Sequence, residues 1–212
     1  MKPLFIITLI ATATLALGGC NRPGDANEAN LSAALEKHFE VHGDLCIGRH
    51  TWPVDVPDVP AAGQLRDGIQ MPALEHAGLV DHVDAEMKMP RRDGADETVK
   101  ARRYALTAKG KALFNAHPHT AARGADAAQP DLCYGHVRLN KIAGWDAPHK
   151  SEDDPAHLVT TVRYTYTLDP APWARDTAVQ GAFPVLARVV KGSGALELKQ
   201  MLVAADDGWH PL

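Results

Sequence analysis

His38 and His42 stand four residues apart, a spacing that puts two imidazoles on one face of a helix and lets both reach one metal ion. His50, or the pair His117 and His119, would complete such a set, and a His-dependent metal hydrolase is the chemistry it would run. The pattern stops short of that. No Glu follows the first His as in His-Glu-x-x-His, and with 11 His in the chain such pairs arise by chance. We therefore expect no metal and no cofactor. Nucleophilic catalysis has less to work with, because Gly-x-Ser-x-Gly is absent. Ser193 lies in Gly192-Ser193-Gly194, which reads as a connection and lacks the third Gly of a nucleotide site. Glu152-Asp153-Asp154 are neighbours, whereas a calcium loop needs alternating ligands. No catalytic residue is expected. Trp52, Trp145, Trp173 and Trp209 each sit beside Pro, Gly or Asp, and most read as packing at the edge of a core. A groove for an apolar peptide would be sought where Trp52 and Trp173 approach each other.

The elements that must position these residues fit into 212 residues, enough for one large domain or two small ones. The composition is that of a globular chain, 45% apolar and 23% charged. A formal charge of −4 gives no electrostatic case for nucleic acid, which favours strongly basic surfaces.

Met1 to Cys20 is a different kind of sequence. Lys2 is followed by an apolar run from Leu4 to Leu17 and then by Leu17-Gly18-Gly19-Cys20. A basic start, a short apolar core and small residues before a cut describe a secretory signal. The run is too short to span a bilayer, which takes about 20 residues. Cys after two small residues, with Leu at the third position before the cut, resembles the lipobox of bacterial lipoproteins. The resemblance implies a signal peptide over 1–19, lipid (palmitate included) on Cys20, and attachment to the membrane of the cell envelope. Asn21, rather than Asp, after the lipid Cys resembles the sorting signal for the outer membrane, facing the periplasm. With Cys20 lipidated, Cys46 and Cys133 remain. In an oxidising compartment they are most simply one disulfide; two separate buried thiols are the alternative. A bridge over so long a loop is worth on the order of 4 kcal/mol in the chain-entropy account.

Residues 20–27, with Pro23 and Gly24, read as a lipidated tether. Asp25 and Glu28 stand at capping-box spacing before a helix marked by Leu31, Ala34, Leu35 and Phe39 and stopped by Gly43. Trp52 to Pro57 is an extended edge segment because of its prolines. Short helices follow around Leu65, Ile69 and Leu74. Gly78 ends them, a strand alternates from Leu79 to Met89, residues 90–96 turn, and a return strand reaches Leu106. Thr107 caps a last helix through Phe114. Leu74-Glu75-His76-Ala77-Gly78-Leu79-Val80 and Arg103-Tyr104-Ala105-Leu106-Thr107-Ala108-Lys109-Gly110 resemble the second half of a winged-helix domain, over residues 60–116. Members of that fold often bind DNA through a basic helix. Here the helix carries Asp67 and Glu75, and only the hairpin is basic (Lys88, Arg91, Arg92, Lys100, Arg102, Arg103), which reads as a solvated face. We group 28–116 as a helical, winged-helix-like subdomain.

Residues 117–131, rich in Ala, Pro and Gly, read as a linker to an α+β sheet subdomain over 132–212. Its firmest strand alternates Leu158, Thr160, Val162, Tyr164, Tyr166 and Leu168 on one face. A helical stripe of Val179, Phe183, Leu186 and Val190 follows, then a strand with Leu196, Leu198 and Leu202. The fold class expected is α+β: the winged-helix-like α/β-hairpin part, then an antiparallel β-sheet with one helix. Trp52-Pro53-Val54 after Cys46, Cys133-Tyr134-Gly135, Tyr164-Thr165-Tyr166, Pro172-Trp173-Ala174 and Gly208-Trp209 are similar to a family of uncharacterised proteobacterial envelope lipoproteins. That resemblance implies that Cys46 and Cys133 belong together, and it supplies no activity. The expected function is a lipid-anchored binding or accessory protein of the envelope, without catalysis, that presents a surface to a protein or peptide partner.

Overall fold

The computed structural model describes residues 22–91, 94–114 and 129–212. The chain has an α+β fold with two antiparallel sheets. Its elements begin with helix α1 (Glu28–His42), strands β1 (Asp44–Cys46) and β2 (Val54–Pro57), a 3-10 turn (Pro60–Gln64) and α2 (Arg66–His76). The hairpin β3 (Val80–Pro90) and β4 (Asp96–Leu106) and helix α3 (Ala108–Phe114) follow. The second half carries β5 (Cys133–Trp145), β6 (His149–Lys150), β7 (Leu158–Pro170), a 3-10 turn (Pro172–Arg175), α4 (Thr177–Ala182), α5 (Pro184–Gly192), β8 (Glu197–Ala205) and β9 (Gly208–Pro211).

The smaller sheet has the order β2-β4-β3. With α2 and α3 it forms the expected helix–wing–helix succession. The β3–β4 register runs without a slip from Val80↔Leu106 to Pro90↔Asp96. Gly78, at φ +72, ends α2 in the left-handed conformation expected of it. Thr107 Oγ1 donates to Gly78 O (2.8 Å) and accepts from Gly110 N (3.0 Å), so one hydroxyl closes α2 and opens α3. Part of the basic hairpin faces acidic residues. Arg103 makes a bidentate pair with Asp55 (2.7 Å each), and Arg102 and Lys100 lie opposite Asp84 and Glu86.

The larger sheet has the order β1-β5-β7-β8-β9, with β6 pairing β7. Register shifts at Leu139/Lys141 and Ile142/Gly144 curl it, since each extra residue bends one strand against its partner. Val162, Tyr164, Tyr166 and Leu168 face the interior as the alternation predicts, while Leu158 is exposed at the strand's end.

Three groupings differ from the expectation. Helix α1 packs on the larger sheet: Leu31 and Leu35, both fully buried, join Val137, Val162, Tyr164 and Leu202. Its N-cap is Asn27, whose side chain accepts from Asn30 N, while Asp25 closes the preceding turn on Arg22 N. The helix stripe after β7 is two helices, because Pro184 has no N–H to continue α4 and instead opens α5. That pair bridges the two cores, with α5 resting on its own sheet through Val189 and Val190. Val179, Phe183 and Leu186 enter the core made by Met71, Leu74 and Tyr104. The two halves therefore exchange elements, α1 and β1 in one direction and α4 and α5 in the other. The chain is interleaved rather than strung as separate beads. Among the described residues no helix is long and apolar enough to cross a membrane.

Candidate functional site

The disulfide joins Cys46 to Cys133 where β1 meets β5. Beside it, Asp131 is 2% exposed and its carboxylate accepts from Gly48 N (2.7 Å), Arg49 N (3.1 Å) and Leu132 N (2.7 Å). A covalent and a hydrogen-bonded tie thus hold the same two segments. Asp131 is the last residue of the segment 117–131 that reads as a linker, yet it is buried, because three backbone donors need an acceptor there. Residues 115–128 and Cys20, the expected lipidation site, lie outside the described residues.

Trp52 and Trp173 belong to the same apolar core, where Trp173 is 5% exposed and Trp52 half-buried. Their indole Nε1 atoms are buried without a hydrogen-bond partner among the described residues. Trp173 cannot present a binding surface, because the 3-10 turn after β7 tucks it under α4. The structure brings the two indoles to one core, with Trp52 on its partly exposed side.

An apolar cleft of about 480 Å³ lies elsewhere, on the interior face of the larger sheet between the C-terminal end of α1 and α5. Its floor is the part of the sheet that neither helix covers. Val137 of β5, Tyr164 and Tyr166 of β7, and Leu196 and Leu198 at the start of β8 supply it. One wall is Phe39 and His42 of α1, with Leu45; the other is Val185, Arg188 and Val189 of α5. Gly43 makes the corner possible. A Cβ there would lie 2.3 Å from Phe39 O and 2.7 Å from Val137 O, so only glycine lets the chain turn from α1 directly onto the sheet. Gly192 does the same at the other wall, where a Cβ would stand 2.7 Å from Tyr166 Oη.

The polar groups of the cleft are few, and none is a carboxylate. Tyr166 Oη donates to Val189 O (2.7 Å), locking α5 to β7. Burial raises the pKa of both Tyr164 and Tyr166 above the ordinary phenol value; for Tyr166 the Arg188 charge partly offsets this. Both hydroxyls therefore stay protonated at neutral pH. Arg188 makes no ion pair or hydrogen bond among the described residues, and no acidic side chain lines the cleft. Phe39 packs on Tyr164 at 5.7 Å between ring centroids. His38 and His42 stack at 4.8 Å, and the His38 pKa is lowered, first by burial and then by the neighbouring His42 charge.

The imidazole pair is the one spacing-based site the helix does bring together. Among the described residues, however, no group of three His, Cys, Asp or Glu converges. His50 is held elsewhere, with its Nδ1 3.2 Å from Pro130 O, and His117 and His119 lie outside the described residues. The cleft itself escaped the sequence. Phe39, Tyr164, Tyr166 and Leu198 all read as core, and nothing local marks which core residues are left uncovered. Arg188 on an otherwise apolar stripe was the one available signal.

No protein-family profile matches the chain, and neither a curated protein nor a solved structure matches it, so the site's meaning rests on its own chemistry.

Proposed function

We propose that this chain is a lipid-anchored binding protein of the bacterial envelope, without catalytic activity, that holds an apolar ligand in the cleft between α1 and α5. The observation that carries this is the cleft. Its volume of about 480 Å³ falls within the roughly 300–1,000 Å³ usual for ligand sites, and it combines an apolar floor with few polar groups. It takes over the role first sought at Trp52 and Trp173, and narrows the expected protein or peptide partner to something that enters it: an apolar peptide segment or an acyl chain. Anchoring rests on Leu17-Gly18-Gly19-Cys20, and export is in keeping with the Cys46–Cys133 bridge.

Titration with the neutral fluorescent probe N-phenyl-1-naphthylamine tests the cleft. We expect saturable binding by the wild type and its loss in Val185→Asp. Val185 is 72% exposed, so the variant folds while a charge is set on the lip. No binding by the wild type, or equal binding by the variant, overturns the assignment. Cys20→Ser tests the anchor: detergent-phase partition and the added acyl mass should both disappear. Metal analysis of the purified protein addresses the alternative, a metal hydrolase, which requires a stoichiometric ion lost on His38→Ala and His42→Ala.

A further inference from the structure

Resting on the cleft as the binding site, we infer that its ligand is a single-chain anionic amphiphile, an acyl carboxylate, with the chain on the sheet floor and the head group at Arg188.

The argument is one of charge and shape together. Apolar ligands are recognised by area, but their orientation is set by the few polar groups at the site. Here those groups are a guanidinium, the tyrosine hydroxyls and, across the mouth, the imidazole of His42. None is an acceptor of negative character, and a cationic or purely hydrogen-bond-donating head group would find no carboxylate to meet it. Arg188 is solvent-exposed on the apolar lip of α5 and answers no acid among the described residues. Arg188 is one of the residues that line the cleft, on the same wall as Val185 and Val189. A guanidinium offers a planar pair of donors that matches a carboxylate in bidentate fashion. Tyr166 is already committed to Val189 O, but the Tyr164 hydroxyl makes no hydrogen bond among the described residues, which leaves it for a second contact with the ligand.

The shape favours a chain over a folded peptide segment. The floor is a strip of side chains from three adjacent strands, flanked by two helices and lined by Val137, Leu196 and Leu198. Over Val137, Tyr164 and Tyr166 it offers no strand edge to pair with a peptide backbone, since β5 and β7 are hydrogen-bonded to neighbours on both sides there; the open edge belongs to β8 before Leu202. An extended peptide laid over those three residues would bury amide groups against apolar carbons, which costs free energy unless each is paired. An acyl chain carries no such groups.

Three ligands of equal chain length separate head group from tail: dodecanoate, dodecanol and dodecyltrimethylammonium, each used below its micelle concentration to displace N-phenyl-1-naphthylamine from the intact protein. Dodecanoate should displace the probe at least about tenfold more tightly than either other compound, the equivalent of one charge-assisted contact. Arg188→Gln should bring dodecanoate to the level of dodecanol, and Arg188→Lys should keep part of the preference. Equal affinity for the three head groups, or a preference that survives Arg188→Gln, overturns the inference while the cleft remains a binding site. Tighter displacement by an apolar tripeptide with a free C-terminus than by dodecanoate overturns it in favour of a peptide. Failure of the probe to bind at all removes the cleft, and the inference with it.

Discussion

Replacing Asp131 with Ala should be among the most damaging single changes to the chain outside its apolar cores. The carboxylate is buried and accepts from three backbone N–H groups, those of Gly48, Arg49 and Leu132. These donors do not lose equally. Leu132 is fully buried, so its N–H is left without water and costs about 1–3 kcal/mol. Gly48 is exposed and Arg49 half-buried, so water replaces most of what they lose, at about 1 kcal/mol each. The sum is roughly 3–5 kcal/mol, against a typical domain stability of about 5–15 kcal/mol. With a urea slope of about 2 kcal/mol per molar, the unfolding midpoint should fall by about 2 M. The assay is urea unfolding with the Cys46–Cys133 bridge intact, followed by tryptophan fluorescence. Asp131→Asn keeps the oxygen that serves Arg49 and Leu132 and loses the one that serves Gly48, so it should cost about 1–2 kcal/mol. Asp154→Ala, at an exposed carboxylate, is the control and should shift the midpoint little. If Asp131→Ala stays within about 0.5 kcal/mol of wild type, the claim that the segment beside the disulfide is held by this carboxylate is wrong.

Leu35→Ala should cost about 2–5 kcal/mol, because Leu35 is fully buried between α1 and the larger sheet; the same change at exposed Val41 should be near neutral, as thermal unfolding of both variants will show. Mild acid should loosen α1. His38 has a folded pKa below its ordinary 6.5, so the unfolded chain takes up the proton first. The contribution of this residue is therefore full above the unfolded value and lost as the pH falls through it toward the folded one. Urea midpoints at pH 8 and pH 5.5 should show the decline, and His38→Gln should reduce it. Gly192→Ala should cost about 1–3 kcal/mol by overpacking, since the new Cβ lies 2.7 Å from Tyr166 Oη and 2.8 Å from Leu196 Cβ. The same variant should weaken probe binding, because Tyr166 is part of the cleft floor.

Patterns local to a segment were legible before the structure. The alternation from Thr160 to Leu168 marks one face of a strand, and that face is buried. Gly78 and Thr107 mark helix ends by backbone requirements that few other residues meet. What the sequence hides is which apolar face meets which. Leu31, Ala34 and Leu35 suit either core equally well; only the curl of the larger sheet, with β1 paired to β5, brings α1 over Val137 and Leu202. Val179, Phe183 and Leu186 read as a helix for the nearby sheet and instead fill the core of the first half. The same limit explains Trp52 and Trp173. Aromatic residues at segment edges suit a rim or a core, and long-range docking decides between them. A cleft is harder still to read, since it is defined by the cover its residues lack.

The segment before α1 gives the proposed anchor a geometry. Residues 20–27 read as a flexible tether, yet from Arg22 onward the chain is fixed to the end of the larger sheet. Asn30 Nδ2 donates to Arg22 O (2.7 Å) and Asp25 O (2.9 Å), and the indole of Trp209 donates to Asp25 O (3.3 Å). If Cys20 carries the lipid as proposed, the span from Cys20 to Arg22 leaves about 7 Å of chain between the lipid and the folded protein. The turn between β8 and β9, which includes Asp207, is then held close to the membrane. From this fixed point α1 leads to the cleft: Phe39 lies about 16 Å along the helix axis from Glu28. A lipid on Cys20 would then hold the folded protein by a short lead rather than as a domain on a string. On that proposal a ligand in the cleft is separated from the anchored end by most of the length of α1. Arg188 and the tyrosine hydroxyls would supply an acyl carboxylate bound there with a partner for its head group, while the sheet floor replaces the surroundings of its chain.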